Sequence, residues 1–299
     1  MSRPEPSFAM RGGEGNNSST GNSAAATTAT TDRRDPGTRR RATGGVGDAA
    51  RQRRVFAERH VALWVLAASA GFIVTVCYAE LSRVEVGPMT GNVVATGLQL
   101  GRYGAAAMFT RVVAVFGFVA GVAIGVVIAE ECARHKIDRA LALTLAVELI
   151  PLVAFTVWGL RAWTHGRVNM GSHWAFDGLV ALPALAMGLQ TAALRRVGGQ
   201  TARTVYITGM LTRCAEEGVR YWYWSKDRKS GEQALPWHNE PSLQRILLLA
   251  GIVVAFAAGS VFGGALDRTL HLTALVVPLS MIALVAVVDV VIASGPPSR

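Results

Sequence analysis

Charged residues are scarce in this 299-residue chain, 17% of it, where a soluble domain carries about a quarter. With 51% hydrophobic residues the body of the chain is far from the low-hydrophobicity, high-charge composition of disorder. It is also short of water-facing surface. Cysteine is nearly absent. Cys77, Cys132 and Cys214 lie far apart with no CxxC pair, which argues against a disulfide framework or a Cys-type zinc site. They read as small buried hydrophobes or free thiols. Enzyme signatures are missing as well. His60, His135, His165, His173, His238 and His271 are scattered, and no HExxH, GxSxG or phosphate-loop pattern occurs. No catalytic set, cofactor or metal is therefore expected. Residues 1–54 contain neither Leu nor Ile, so no apolar signal-peptide core is visible there.

That N-terminal stretch instead holds 10 Arg against 5 acids, half of the net charge of +10. Rich in Ser, Thr, Gly and Ala, it has little to bury and reads as a disordered basic arm. Without aromatic interleaving or a nucleic-acid motif, nucleic acid is not an expected partner, and the arm reads as cytoplasmic flanking charge.

From Val61 the pattern changes. Uncharged apolar stretches occupy 61–79, 112–129, 178–194 and 246–266, and 140–160 and 270–293 are each interrupted by one acid, Glu148 or Asp289. A hydrocarbon core of ~30 Å takes about 20 helical residues, and backbone polar groups in lipid require helices. Six spans are predicted. Two shorter stretches, Val86–Gly101 and Thr204–Thr212, are predicted as half-helices, because making them spans would place Arg134, Lys136, Arg139, Arg195, Arg196 and Arg203 outside, against the positive-inside rule. Six spans with both termini inside put 24 of the 30 Lys and Arg on the cytoplasmic side.

The two halves are alike. Ala70–Gly71–Phe72 corresponds to Met187–Gly188–Leu189, and Met89–Thr90–Gly91–Asn92 to Ile207–Thr208–Gly209–Met210. Next come Phe118, Gly121 and Gly125, and at the same spacing Phe256, Gly259 and Gly263. Three spans per copy force the copies into opposite orientations. Inverted repeats with interrupted helices recur in transporters whose sites lie where the broken helices meet.

The string GFIVTVCYAELSRVEVGPMTGNVVATGLQLG, with MGLQTAALRRVGG and VYITGMLT after it, resembles the YoaK-like family of multi-spanning bacterial inner-membrane proteins, whose shared domain has no established function. The resemblance covers roughly Val61 to Ala293 and implies a multi-pass membrane protein. Two positions depart from the family pattern: Val74 stands where the family carries Asp, and Gln190–Thr191 where Gln-Asn is common. If that Asp served protons or cations, this chain has lost the role or moved it.

Candidate functional residues follow. Thr90, Gly91 and Asn92 open the first half-helix, where Thr or Asn would cap free N–H groups and Gly would let a ligand or backbone approach; a purely structural cap is the competing reading. Thr208 and Gly209 are their counterparts. Glu148 sits well inside the third span, where a carboxylate must be protonated, paired or in a polar cavity; the alternative is a structural hydrogen bond near Pro151. Gln190 would bind a ligand or glue helices. Asp289 is expected to be solvated, and Arg111 and Asp177 to lie at outer span ends where they could pair. Gly117, Gly121, Gly125, Gly259 and Gly263 read as helix-packing surfaces, and Tyr221–Trp222–Tyr223–Trp224 as an interfacial belt or a partner-binding segment.

The expected fold is an all-α integral membrane protein. It has a basic arm (1–54), a first repeat (55–175; spans about 61–80, 106–129 and 140–160, half-helix 88–101) and a second (176–299; spans about 177–194, 245–266 and 270–293, half-helix 204–215). The expected function is a small-solute transporter or permease in the inner membrane, with the bilayer, a small-molecule substrate and a second copy of the chain as partners. A scaffold or regulatory protein is the alternative.

Overall fold

A computed structural model describes residues 60–103, 108–137, 139–164, 167–168, 173–197, 207–228 and 241–293. The basic arm lies outside them. The described helices are α1 (His60–Glu80), α2 (Met89–Tyr103), α3 (Phe109–Arg134), α4 (Ala140–Ala162), α5 (His173–Val197), α6 (Ile207–Arg228), α7 (Pro241–Leu270) and α8 (Val276–Ala293). Between α4 and α5 a two-stranded antiparallel ladder sets Trp163 opposite Val168.

Five helical runs are long and apolar enough to cross a membrane: His60–Glu80, Phe109–Arg134, Ala140–Ala162, Trp174–Ala193 and the 49-residue run Leu243–Val291. The stretches 246–266 and 270–293 both fall in the last of these. A straight helix of that length would reach ~74 Å, more than twice the ~30 Å core. It is divided by a 3-10 turn, His271–Leu275, entered at His271 with φ 47°. An α-helical path does not continue through a left-handed residue that carries a Cβ, so α7 and α8 are separate helices. The second half-helix also differs from its expected 204–215. Residues 204–206 lie outside the described set, and α6 runs on to Arg228, because charge ends a span but not a helix.

α1 and α3 end alike. Ser82 and Lys136 take left-handed backbone, φ 52° and 54°. The N–H of Arg83 then reaches back to the Tyr78 carbonyl, and that of Ile137 to Cys132, closing the last orphan carbonyls.

The core is built on α1 and α5, with 56% and 61% of their apolar windows buried, against 22% for α3. Leu63, Leu66, Ala70, Ile73 and Val76 of α1 and Leu179, Val180, Ala184, Met187 and Leu189 of α5 are inaccessible or nearly so. The helices with the largest buried apolar share belong at the centre of a bundle. α3 exposes Phe116, Val119 and Val127, and α7 exposes Val254, Val261 and Phe262. Such apolar faces are stable against lipid rather than water.

Two helix crossings carry the same contacts. At α3/α5, a Cβ added to Gly121 would overlap the Leu185 carbonyl, and one added to Gly188 would overlap the Phe118 carbonyl. At α1/α7, a Cβ on Gly259 would overlap the Ala68 carbonyl, and one on Gly71 the Phe256 carbonyl. Leu185 and Ala68 each lie three residues before the partner glycine, as do Phe118 and Phe256. The next turn repeats the pattern: Gly125 faces Leu189, one residue after Gly188, and Gly263 faces Phe72, one after Gly71. In lipid there is little hydrophobic drive between helices, and small residues permit the close backbone packing that holds them.

Polar links fix the ends. Asp289 accepts a hydrogen bond from the Ala142 N–H at 3.1 Å, so this acid caps the start of α4 from α8 instead of being merely solvated. Arg111 and Asp177 do not pair. Thr110 donates to Asp177 at 2.5 Å, joining α3 to α5, while Arg111 reaches the Arg83 carbonyl and the Asn92 side chain, each at 3.3 Å. Glu217 of α6 is bridged to Arg245 of α7 at 3.3 Å.

Candidate functional site

Pro88 precedes α2, and the chain arrives there through Ser82 and Arg83, both left-handed. Asn92 is fully buried and its side chain brackets the incoming loop: Nδ2 donates to the Glu85 carbonyl at 2.5 Å, and Oδ1 accepts the Glu85 N–H at 3.0 Å. Arg111 adds a bond to Oδ1. The hydrogen-bonding groups of Asn92 are thus committed to its own loop and to α3. Gly91 lies directly beneath the Glu85 carboxylate, which a Cβ there would push aside. Glu85 Oε2 is buried with no hydrogen-bond partner among the described residues. Thr90 is exposed.

The counterpart at α6 is plainer. Thr208 is exposed and Gly209 half-buried. The Thr208 carbonyl accepts the Thr212 hydroxyl at 3.0 Å. No hydrogen bond among the described residues connects the two Thr-Gly elements.

Glu148 lies on the buried stripe of α4 with Thr144, Pro151, Phe155 and Gly159. Their three- and four-residue spacing puts them on one face, and α4 packs against α5 and α8. Glu148 is fully buried, and neither carboxyl oxygen has a hydrogen-bond partner among the described residues. Buried polar groups are nearly always satisfied, and a carboxylate inside a span is costly unless it is protonated, paired or facing a polar cavity. Pro151, three residues on, lacks the N–H that would close the helix on Val147.

Gln190 is likewise inaccessible. Its Nε2 donates to Ser69 Oγ on α1 at 3.3 Å, and Ser69 donates to the Leu66 carbonyl at 2.8 Å. Gln190 therefore links α5 to α1 just past the Gly188 crossing, but its Oε1 remains without a partner among the described residues.

Sequence reasoning missed one group. Glu80 at the end of α1, Asp267 near the end of α7 and His271 in the 3-10 turn bring one ligand atom each within 4.8 Å of one another. Asp267 and His271 are close along the chain, but Glu80 lies far upstream, so the group as a whole left no spacing signal. On α6, which is not among the five apolar runs, burial pushes the Cys214 thiol above its usual range, so it stays protonated at neutral pH. Lys226 stands over the Trp222 ring, 5.5 Å from its centroid.

The family described as "Protein of unknown function (DUF1275)" matches residues 62–288, well over half of the chain. A curated relative, the UPF0700 transmembrane protein YoaK of Bacillus subtilis (strain 168), is 26% identical over 175 residues, covering 58% of this chain and 73% of the relative. No solved structure matches.

Proposed function

This chain belongs to the DUF1275 family, and from that premise we propose that it is a proton-coupled permease for a small polar solute, built from two inverted repeats of three spans and a half-helix. The single observation that carries the transport reading is Glu148, a buried carboxyl with both oxygens unpartnered among the described residues in a helix opened by Pro151. Such a group is favourable where it exchanges a proton or meets a passing solute. The paired glycine crossings support the inverted architecture. Each copy lends the other a helix, α3 against α5 and α7 against α1, through equivalent residues.

In this reading α7 and α8 are two spans, both termini are cytoplasmic and the membrane is the bacterial inner membrane; the placement of 24 of 30 Lys and Arg supports the orientation. Thr90, Gly91, Thr208 and Gly209 flank the pathway at opposite faces, Asn92 holds the first entrance in shape, and Gln190 offers its free oxygen beside the α1/α5 contact.

The test is flux. Purified protein in liposomes carrying an internal pH dye is challenged with a panel of small amines, amino acids and sugars under an imposed pH gradient. At least one solute should move protons with wild-type protein, and Glu148→Gln should lower that coupled flux at least tenfold while leaving the protein folded. Equal proton movement in wild type and variant would remove Glu148 from the mechanism.

A scaffold or regulatory reading draws on the exposed Trp222 and Tyr223 of α6. Removal of residues 1–54 separates the two: a permease keeps its flux, whereas a scaffold loses its partner or location.

A further inference from the structure

Glu80, Asp267 and His271 lie apart from every group used in the permease reading. Glu80 closes α1, Asp267 sits one turn before the end of α7, and His271 opens the turn into α8. The Glu80 side chain is 7% exposed and its Oε1 lies 3.1 Å from His271 Nδ1. Asp267 Oδ1 is buried with no hydrogen-bond partner among the described residues. A carboxylate oxygen from each acid and a ring nitrogen fall within 4.8 Å of one another.

Two carboxylates held this close, that of Glu80 almost out of reach of solvent, repel one another unless a proton or cation stands between them. His271 is held there by left-handed backbone, φ 47°, which is unfavourable for any residue with a side chain. The Glu80–His271 ion pair accounts for one oxygen of Glu80 and leaves Asp267 Oδ1 without a hydrogen-bond partner among the described residues. We propose that Glu80, Asp267 and His271 form a binding site for one divalent transition-metal ion of the zinc type.

The charge balances. Two carboxylates and a neutral imidazole make a neutral centre with a divalent ion, which suits low dielectric, while a monovalent ion would leave a net charge. The imidazole selects against magnesium and calcium, which take all-oxygen shells. Tetrahedral zinc with bonds of about 2.0–2.1 Å sets its ligand atoms roughly 3.3–3.5 Å apart, close to the observed 3.1 Å between Glu80 and His271. Water completes the shell. The ion clamps the end of α1 to the α7–α8 connection.

Full-length, tag-free protein in detergent is stripped with EDTA, titrated with zinc chloride and desalted, and its metal content measured. The expected result is close to one zinc per chain, with binding weakened at least about tenfold in Asp267→Asn and His271→Gln and unchanged in Glu216→Gln, an exposed control on α6. Wild type that retains no zinc, or an Asp267→Asn variant that retains it equally, overturns the site. A second readout needs no variant: diethylpyrocarbonate labelling of the half-exposed His271, followed by mass spectrometry. Zinc should protect His271 in the wild type, and equal labelling with and without zinc overturns the proposal.

Discussion

The two glycine crossings agree where backbone meets backbone and differ where side chains do. In both, the central contacts are made by glycines whose Cβ would strike a carbonyl oxygen of the other helix: Gly121 and Gly188 at α3/α5, Gly259 and Gly71 at α1/α7. Towards the start of α3 and α7 the likeness ends. Gly117, one turn before Gly121, packs on the Ala181 backbone; its counterpart on α7 is Ala255, and Gly251, a further turn back, lies beneath the Trp64 ring. A serine on α7 adds a link that α3 lacks, since Ser260 donates to the Gly71 carbonyl at 3.2 Å and the matching residue of α3 is Val122. The backbone distance of a crossing depends on a few positions that tolerate no side chain, and these recur. The flanking positions are free to diverge.

The largest effects are expected at the shared glycines. Gly121→Ala and Gly259→Ala should each destabilise the protein by about 3 kcal/mol, because a carbonyl of a packed helix cannot step aside. Denaturation in mixed micelles measures this, and a marked inequality between the two would show that the crossings are not equivalent. A smaller effect is expected at Gly251. Gly251→Ala should cost about 1 kcal/mol, since Trp64 is 38% exposed and its ring can swing away. In a Trp64→Ala background the cost should vanish, whereas Gly259→Ala should cost the same in either background. The smallest belongs to the hydroxyl: Ser260→Ala should lose about 0.6 kcal/mol, the usual scale of an interhelical hydrogen bond in a membrane, visible as a slight fall in thermal stability.

Much of the fold was legible because spans announce themselves by the absence of charge, and the crossing glycines because they repeat with their spacing. The α7–α8 break was legible only as two apolar stretches. No composition marks His271 as left-handed, so a run of 49 residues conceals its turn. The site residues were harder. Glu148 and Gln190 stand out as polar residues in apolar stretches, and both are fully buried. What they face was invisible, and so was the loop bracket that occupies Asn92. Asp289 looked solvated because its partner, the Ala142 N–H, lies 147 residues away. The same distance effect hid Glu80 and His271, 191 residues apart yet in contact; Arg111 and Asp177, which looked like partners, bond elsewhere, Asp177 to Thr110 and Arg111 to the Arg83 carbonyl and Asn92.

Inversion of the repeats is tested most directly by sidedness at the two Thr-Gly elements. Thr90 and Thr208 are both exposed, so each accepts a cysteine in a background where Cys77, Cys132 and Cys214 are replaced by serine or alanine. Intact cells are treated with a membrane-impermeant maleimide, with and without permeabilisation. Thr90→Cys should label in intact cells, and Thr208→Cys only after permeabilisation. Labelling of both from the same side would contradict the inverted architecture and the permease reading that rests on it.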